Sequence, residues 1–303
     1  MLKGLSNIKL LALLGGLVAV YFLVDMTRNT KRSSSFRSEL VEIDTAKVTK
    51  LEVKKNAEKL LLLKESAEWK VELPNGRKVS AKSASVKSTL GALLSIKPDR
   101  LAARNKDKWK DYQVDSSAMR VQTFEGSSKT LDLMIGRFGV SGQRSYHSFV
   151  RLFDEDEVYS VNNFMPFSVN SDPNNYRNSV VMKANKDSIS SIKFNYPDSA
   201  FVLEKAVSGQ WIVGAQDADS ASVATYLGDI AYLSNTDFVD DVDHLSAYTF
   251  TVDITISGKD PIQLFAYPSQ GEWAVKSSSN SEEFFASKDL AEKLFKPAAY
   301  FVK

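Results

Sequence analysis

The chain of 303 residues carries 39 Lys and Arg against 37 Asp and Glu, a formal net charge of +2, so it offers no basic excess of the kind nucleic-acid binding draws on. Its 43% apolar content suffices for the cores of two ordinary domains and excludes a disordered chain. Cysteine is absent, which excludes disulfides, thiolate catalysis, cysteine-ligated zinc and a lipid-bearing cysteine.

Residues 1–7 form a short N-terminal tail. Residues 10–24 are apolar or glycine without a charge, and with Ile8 and Met26 included the stretch reaches the low end of the range, about 17 residues and upward, for crossing a bilayer. A cleaved signal peptide wants small residues before the cut, whereas Tyr21-Phe22-Leu23-Val24 has no A-x-A pattern, and a soluble helix would want a polar face. The expectation is one uncleaved transmembrane anchor at 8–26, holding the chain to the cytoplasmic membrane. Orientation does not follow from charge, because Lys3 and Lys9 are outnumbered by Arg28, Lys31, Arg32 and Arg37 on the other flank. Residues 27–40 read as a polar tether.

From residue 41 the pattern changes to short strands. Residues 49–53 alternate, 60–63 are continuously apolar, and 68–73 alternate around Trp69 before Pro74-Asn75-Gly76 supplies hairpin chemistry. A serine at 83 or 85 can cap a helix with Val86, Leu90, Leu93 and Leu94 on one side, ended before Pro98. Trp109 sits in a charged segment, and residues 119–124, 130–135, 146–153 and 158–161 read as further strands, with a helical turn near 163–167. The second half repeats this order. Ser220-Ala221-Ser222-Val223 followed by Leu227-Gly228 repeats Ser83-Ala84-Ser85-Val86 followed by Leu90-Gly91, and Trp211 repeats Trp69. Strands are expected at 189–194, 201–204, 210–213, 249–256, 262–267 and 272–275, and a last helix at 287–295 with Ser287 as cap. The predicted fold class is therefore α+β: two tandem copies of an antiparallel-sheet-plus-helix unit, 41–180 and 181–303, joined near the loop-like residues 170–187.

Chemistry-bearing patterns are thin. His147 and His244 do not fall at equivalent places and lack zinc-ligand spacing. The acidic runs 154–157 and 237–243 lack the calcium-loop pattern, and Asp217 and Asp219 read as helix-start charges. Neither a phosphate loop nor a dinucleotide fingerprint occurs, so no nucleotide is expected. A nucleophile elbow is missing too, and Ser190 with Lys193 falls inside a strand. The repeated tryptophans are expected to fill cores. No catalytic, cofactor or metal residue is assigned.

The N-terminal stretch, Thr49-Lys50-Leu51-Glu52-Val53, the x-Trp-x-Val strand, the capped helix, Tyr176-Arg177-Asn178 before an apolar strand and the second run of the same order together resemble the DUF4340 family of bacterial envelope proteins. That family's function is unknown. The resemblance implies a neighbourhood of membrane proteins similar to gliding-motility auxiliary ABC transporters, with the globular part on the periplasmic side of the bacterial cytoplasmic membrane. It supplies no catalytic residue. Arg177 is the one candidate partner contact, with packing at the junction of the copies as its alternative.

The leading functional expectation is a non-catalytic, single-pass membrane protein whose duplicated ectodomain binds a protein partner, a transporter-like complex of the envelope. Its rival is a glycan- or peptide-binding or hydrolysing module with carboxylates from 237–243 in a cleft between the copies; paired carboxylates about 5 to 9.5 Å apart would be required. A third reading leaves 8–26 outside the membrane and the protein in the cytoplasm.

Overall fold

The structure is a computed structural model that describes Gly16 and residues 37–140, 145–269 and 271–302. It divides the chain into two compact units, the first including residues 37–59 and 88–171, the second 60–87 and 172–303. These units do not coincide with the spans 41–180 and 181–303: the segment 60–87 belongs with the second unit.

Through the first sheet the chain runs β1 (Lys50–Lys55), β2 (Glu58–Glu65), β3 (Glu68–Glu72), β4 (Lys78–Ser80), α1 (Ser83–Leu94), β5 (Pro98–Ala103), α2 (Trp109–Tyr112), β6 (Met119–Glu125), β7 (Ser128–Val140), β8 (Tyr146–Leu152) and β9 (Val158–Asn162). The remainder is β10 (Val180–Lys183), β11 (Ile189–Tyr196), β12 (Ser199–Lys205), β13 (Trp211–Val213), β14 (Gln216–Asp217), α3 (Ser220–Ala231), β15 (Tyr232–Ser234), β16 (Phe250–Ile256), β17 (Ile262–Ser269), β18 (Glu272–Ser277), β19 (Asn280–Ala286) and α4 (Lys288–Leu294).

In the first unit β1 pairs with β6, and β7, β8, β9 and β5 follow, all antiparallel. Alternation sets the burial: Leu51, Val53 and Val121 are sealed from solvent while their strand neighbours are not. In β7 the buried run from Leu131 to Ile135 marks a strand covered on both faces. Trp109 and Tyr112 pack on Val114, Phe149 and Val158.

In the second unit β2, β3 and β4 form a meander whose β3–β4 turn uses Gly76 at φ +82°. The main sheet runs β14, β13, β12, β11, β16, β17, β18, β19. Its core gathers Phe194, Leu203, Tyr226, Ile230, Val252, Leu264, Phe285 and Phe301, and each such side chain contributes roughly 1.5–3 kcal/mol by leaving water. Tyr226 is wholly buried and donates its hydroxyl hydrogen bond to the Leu294 carbonyl at 2.8 Å; burial pushes its pKa up.

Two expectations are corrected. The architecture is dominated by antiparallel sheet, and among the described residues the α-helices have only 12, 4, 12 and 7 residues. The α+β reading gave the helices too much weight, because strong helix signals at 83 and 220 are local, whereas weak edge strands such as β5 and β15 exist only through their partners. The transmembrane helix is not supported either: among the described residues no helix is long and apolar enough to cross a membrane. The predicted anchor, 8–26, lies outside the described residues except for Gly16.

Candidate functional site

Arg177 follows the 3-10 turn Pro173–Asn175, which Asp172 caps by accepting from the Asn174 N–H at 2.9 Å. Its backbone bridges Ala81, and the flanking bonds Lys82 N–H to Tyr176 O (2.6 Å) and Asn178 N–H to Ser80 O (2.8 Å) tie the segment to the end of β4. This directs the guanidinium inward, where its side chain has 0% exposure. Nε and Nη2 donate to the two oxygens of Glu283 at 2.9 and 2.6 Å, while Nη1 reaches Asp240 at 2.7 Å and Asn174 at 3.1 Å. The Phe238 ring lies 3.9 Å from its central carbon. Burial works against the Arg177 charge, but the Glu283 hydrogen bonds, the Glu283 charge and then Asp240 outweigh it and hold the pKa above its ordinary value. At Glu283 burial pushes the carboxyl up, and Arg177 only partly opposes this. The paired geometry holds the two side chains as an ion pair.

The same element pair carries a second layer. Glu282, one residue before Glu283, accepts from Lys70 at 2.6 Å and from Ser80 at 2.7 Å, and Arg77 donates to the Glu282 and Asp240 carbonyls at 2.8 and 3.0 Å. These contacts fasten the β3–β4 hairpin to β19 and the acidic loop after β15. Arg177 thus sits in the interior of the second unit with no exposed guanidinium surface to offer a partner.

The first unit has an open site. A bulge in β7 lets two residues, Gly136 and Arg137, oppose one on β8, because pairing shifts from Ile135↔Val150 to Phe138↔Ser148. Bulges turn side chains away from the ladder and recur beside functional sites. Gly136 permits this crossing: a Cβ there would stand 2.7 Å from Val114 Cγ1 and 2.8 Å from the Gln113 carbonyl. Beyond the bulge, Phe138 contacts Phe167 and Tyr146 with ring centroids 5.6 and 5.7 Å apart. Phe167 remains 74% exposed. Phe138 and Phe167, with Met119, Pro166, Lys55 and Arg137, line a groove of about 490 Å³.

The other sequence candidates disperse. His147 lies in β8 with its ring edge-on to Phe149 at 5.2 Å; His244 is near Ser269 at 3.4 Å and Asp241 at 3.7 Å. Among the described residues no cluster of three His, Asp or Glu could hold a metal. In the run 154–157, Glu155 pairs with Arg37 at 2.8 Å and Asp156 with Lys106 at 3.7 Å; in 237–243, Asp240 serves Arg177. Asp219 caps α3, accepting from the Ser222 N–H at 3.3 Å. Trp69 is buried at 7% exposure, whereas Trp211 is half-buried.

Sequence reading passed over Arg151. It is 2% exposed and donates to the carbonyls of Val114, Leu152, Phe153 and Glu155 at 2.8 to 3.2 Å, with its guanidinium 3.6 Å from the Trp109 ring. Burial lowers its pKa. No side-chain pattern announced this, since its acceptors are backbone carbonyls, three in the turn that follows it and one on the distant Val114.

A family model described as "Domain of unknown function (DUF4340)" matches residues 69–252. No curated protein and no solved structure matches the chain.

Proposed function

This chain belongs to the DUF4340 family, and from that premise we propose that it is a non-catalytic recognition module whose first unit receives a partner protein in the groove beside Phe138 and Phe167. The observation that carries this reading is the exposed aromatic wall: Phe167, at 74% exposure, remains in water against Phe138 on a preformed groove of about 490 Å³. Large apolar side chains gathered at a concave surface mark interaction sites, and aromatic anchors carry much of the energy of protein interfaces. Support for an envelope partner, a transporter-like membrane complex met on the periplasmic side, comes from the family resemblance.

A photoreactive amino acid placed at Phe167 in living cells tests this, with Val207, exposed in the second unit, as the control position. One discrete adduct from position 167, absent at 207 and identified as an envelope membrane protein, is the expected result. No adduct, or the same ladder of adducts from both positions, defeats the reading.

A further inference from the structure

The second unit contains a smaller pocket with a different character. It measures about 210 Å³, and its lining includes Lys186, Asp187, Lys205, Trp211, Ser220 and Val223 together with Leu227. Four elements meet there. Lys186 comes from the 3-10 turn before β11, Lys205 ends β12, Trp211 opens β13, and Ser220 begins α3.

Lys205 and Trp211 are direct cross-strand partners, so their side chains leave the same face with Cβ atoms about 5 Å apart. The ladder of the β2–β3 pair has the same combination, Lys64 opposite Trp69. There the indole is buried at 7% exposure, while Trp211 is half-buried and borders open space. An indole that fills a core in one setting has become a wall in the other. Val223 and Leu227 supply an apolar surface beside it.

Charge decides the ligand class. Two ammoniums stand against the one carboxylate of Asp187, and among the described residues neither Lys186 nor Lys205 makes an ion pair. Both are exposed and hydrated, so they add orientation and modest attraction to binding driven by the apolar wall. We infer that this pocket binds a small organic acid with a flat apolar body, the ring against Trp211 and the carboxylate between Lys186 and Lys205. Ser220 supplies a hydroxyl donor to the same carboxylate. This inference stands apart from the partner groove, which lies in the first unit.

The test uses the full-length protein labelled with ¹⁵N-tryptophan, titrated with 2-naphthoate and separately with the neutral 2-naphthylmethanol. Trp211→Phe identifies the Trp211 indole signal among those of the four tryptophans. Saturable movement of that signal with naphthoate is expected, with roughly tenfold weaker binding for the neutral compound and for Lys186→Ala/Lys205→Ala. Unchanged signals from the other tryptophans in that double variant show that it is folded. An unmoved Trp211 signal overturns the inference. So does equal binding of acid and alcohol, or acid binding indifferent to the double substitution, because each removes the role given to the ammoniums.

Discussion

At the scale of single residues, the second unit depends on a charge it cannot leave unpaired. Arg177 and Glu283 both have 0% side-chain exposure, and removing one partner strands the other in a low-dielectric interior. Arg177→Met is therefore expected to cost about 3–5 kcal/mol of stability, read as a shift of the urea midpoint. Arg177→Met with Glu283→Leu should recover much of that loss; a double variant as unstable as the single would show that the pair is not the cause. Asp132 plays the corresponding part in the first unit. Burial would raise its pKa, but hydrogen bonds from Arg120 (2.8 Å), Lys129 (2.6 Å) and Gln122 (2.9 Å) hold it below the ordinary carboxylate value. A carboxylate with a lowered folded pKa stabilises the fold fully above its unfolded pKa of about 4. That contribution disappears as pH falls through the lower folded value. Asp132→Asn should cost about 1–3 kcal/mol at neutral pH and flatten the acid limb of stability against pH; an unchanged acid limb would assign the titration elsewhere.

At the scale of elements, the termini of short helices and the crossing of strands decide which segments hold. Asp219 accepts from the Ser222 N–H and hydroxyl at 3.3 and 2.9 Å, so Asp219→Ala is expected to lose roughly 1 kcal/mol in thermal or chemical unfolding. Ser287 does the same for α4, accepting from the Leu290 N–H at 3.3 Å, as its place before the last amphipathic run anticipated. Gly136 is a sharper case. A methyl at that position meets the backbone carbonyl of Gln113 at 2.8 Å, and neither that backbone nor the bulged β7 can shift without opening the groove. Gly136→Ala should lower the melting temperature and, in the cell, diminish crosslinking from position 167; a variant as stable as the parent would mean that the close crossing is dispensable.

At the scale of the whole molecule, three strands, a helix and a further strand intervene both times between a strand and its antiparallel partner: β1 pairs with β6 across about seventy residues, and β11 with β16 across about sixty. Backbone hydrogen exchange measured by mass spectrometry should follow the two units separately. Arg177→Met is expected to raise exchange in β4 and β19, where Ala81, Glu282 and Glu283 converge, well before β6 to β9 respond. Uniform acceleration over both units would instead mean that they unfold as one. Local signals made many of these elements legible: alternation around Leu51 and Trp69, Asn75-Gly76 at a hairpin, the serine-rich openings of α1 and α3, and the cap before α4. Their periodicity follows from the chain's own geometry and needs no partner to be read. The apolar N-terminal stretch was legible only as composition, and no spanning helix occurs among the described residues. What tertiary structure alone decided was which charges are buried and which aromatics are left in water. Arg151 and Arg177 carry no local mark of burial, and Phe167 none of exposure, because burial is set by segments distant in the chain, Trp109 and Val114 for Arg151 and Glu283 for Arg177, and leaves no periodic trace.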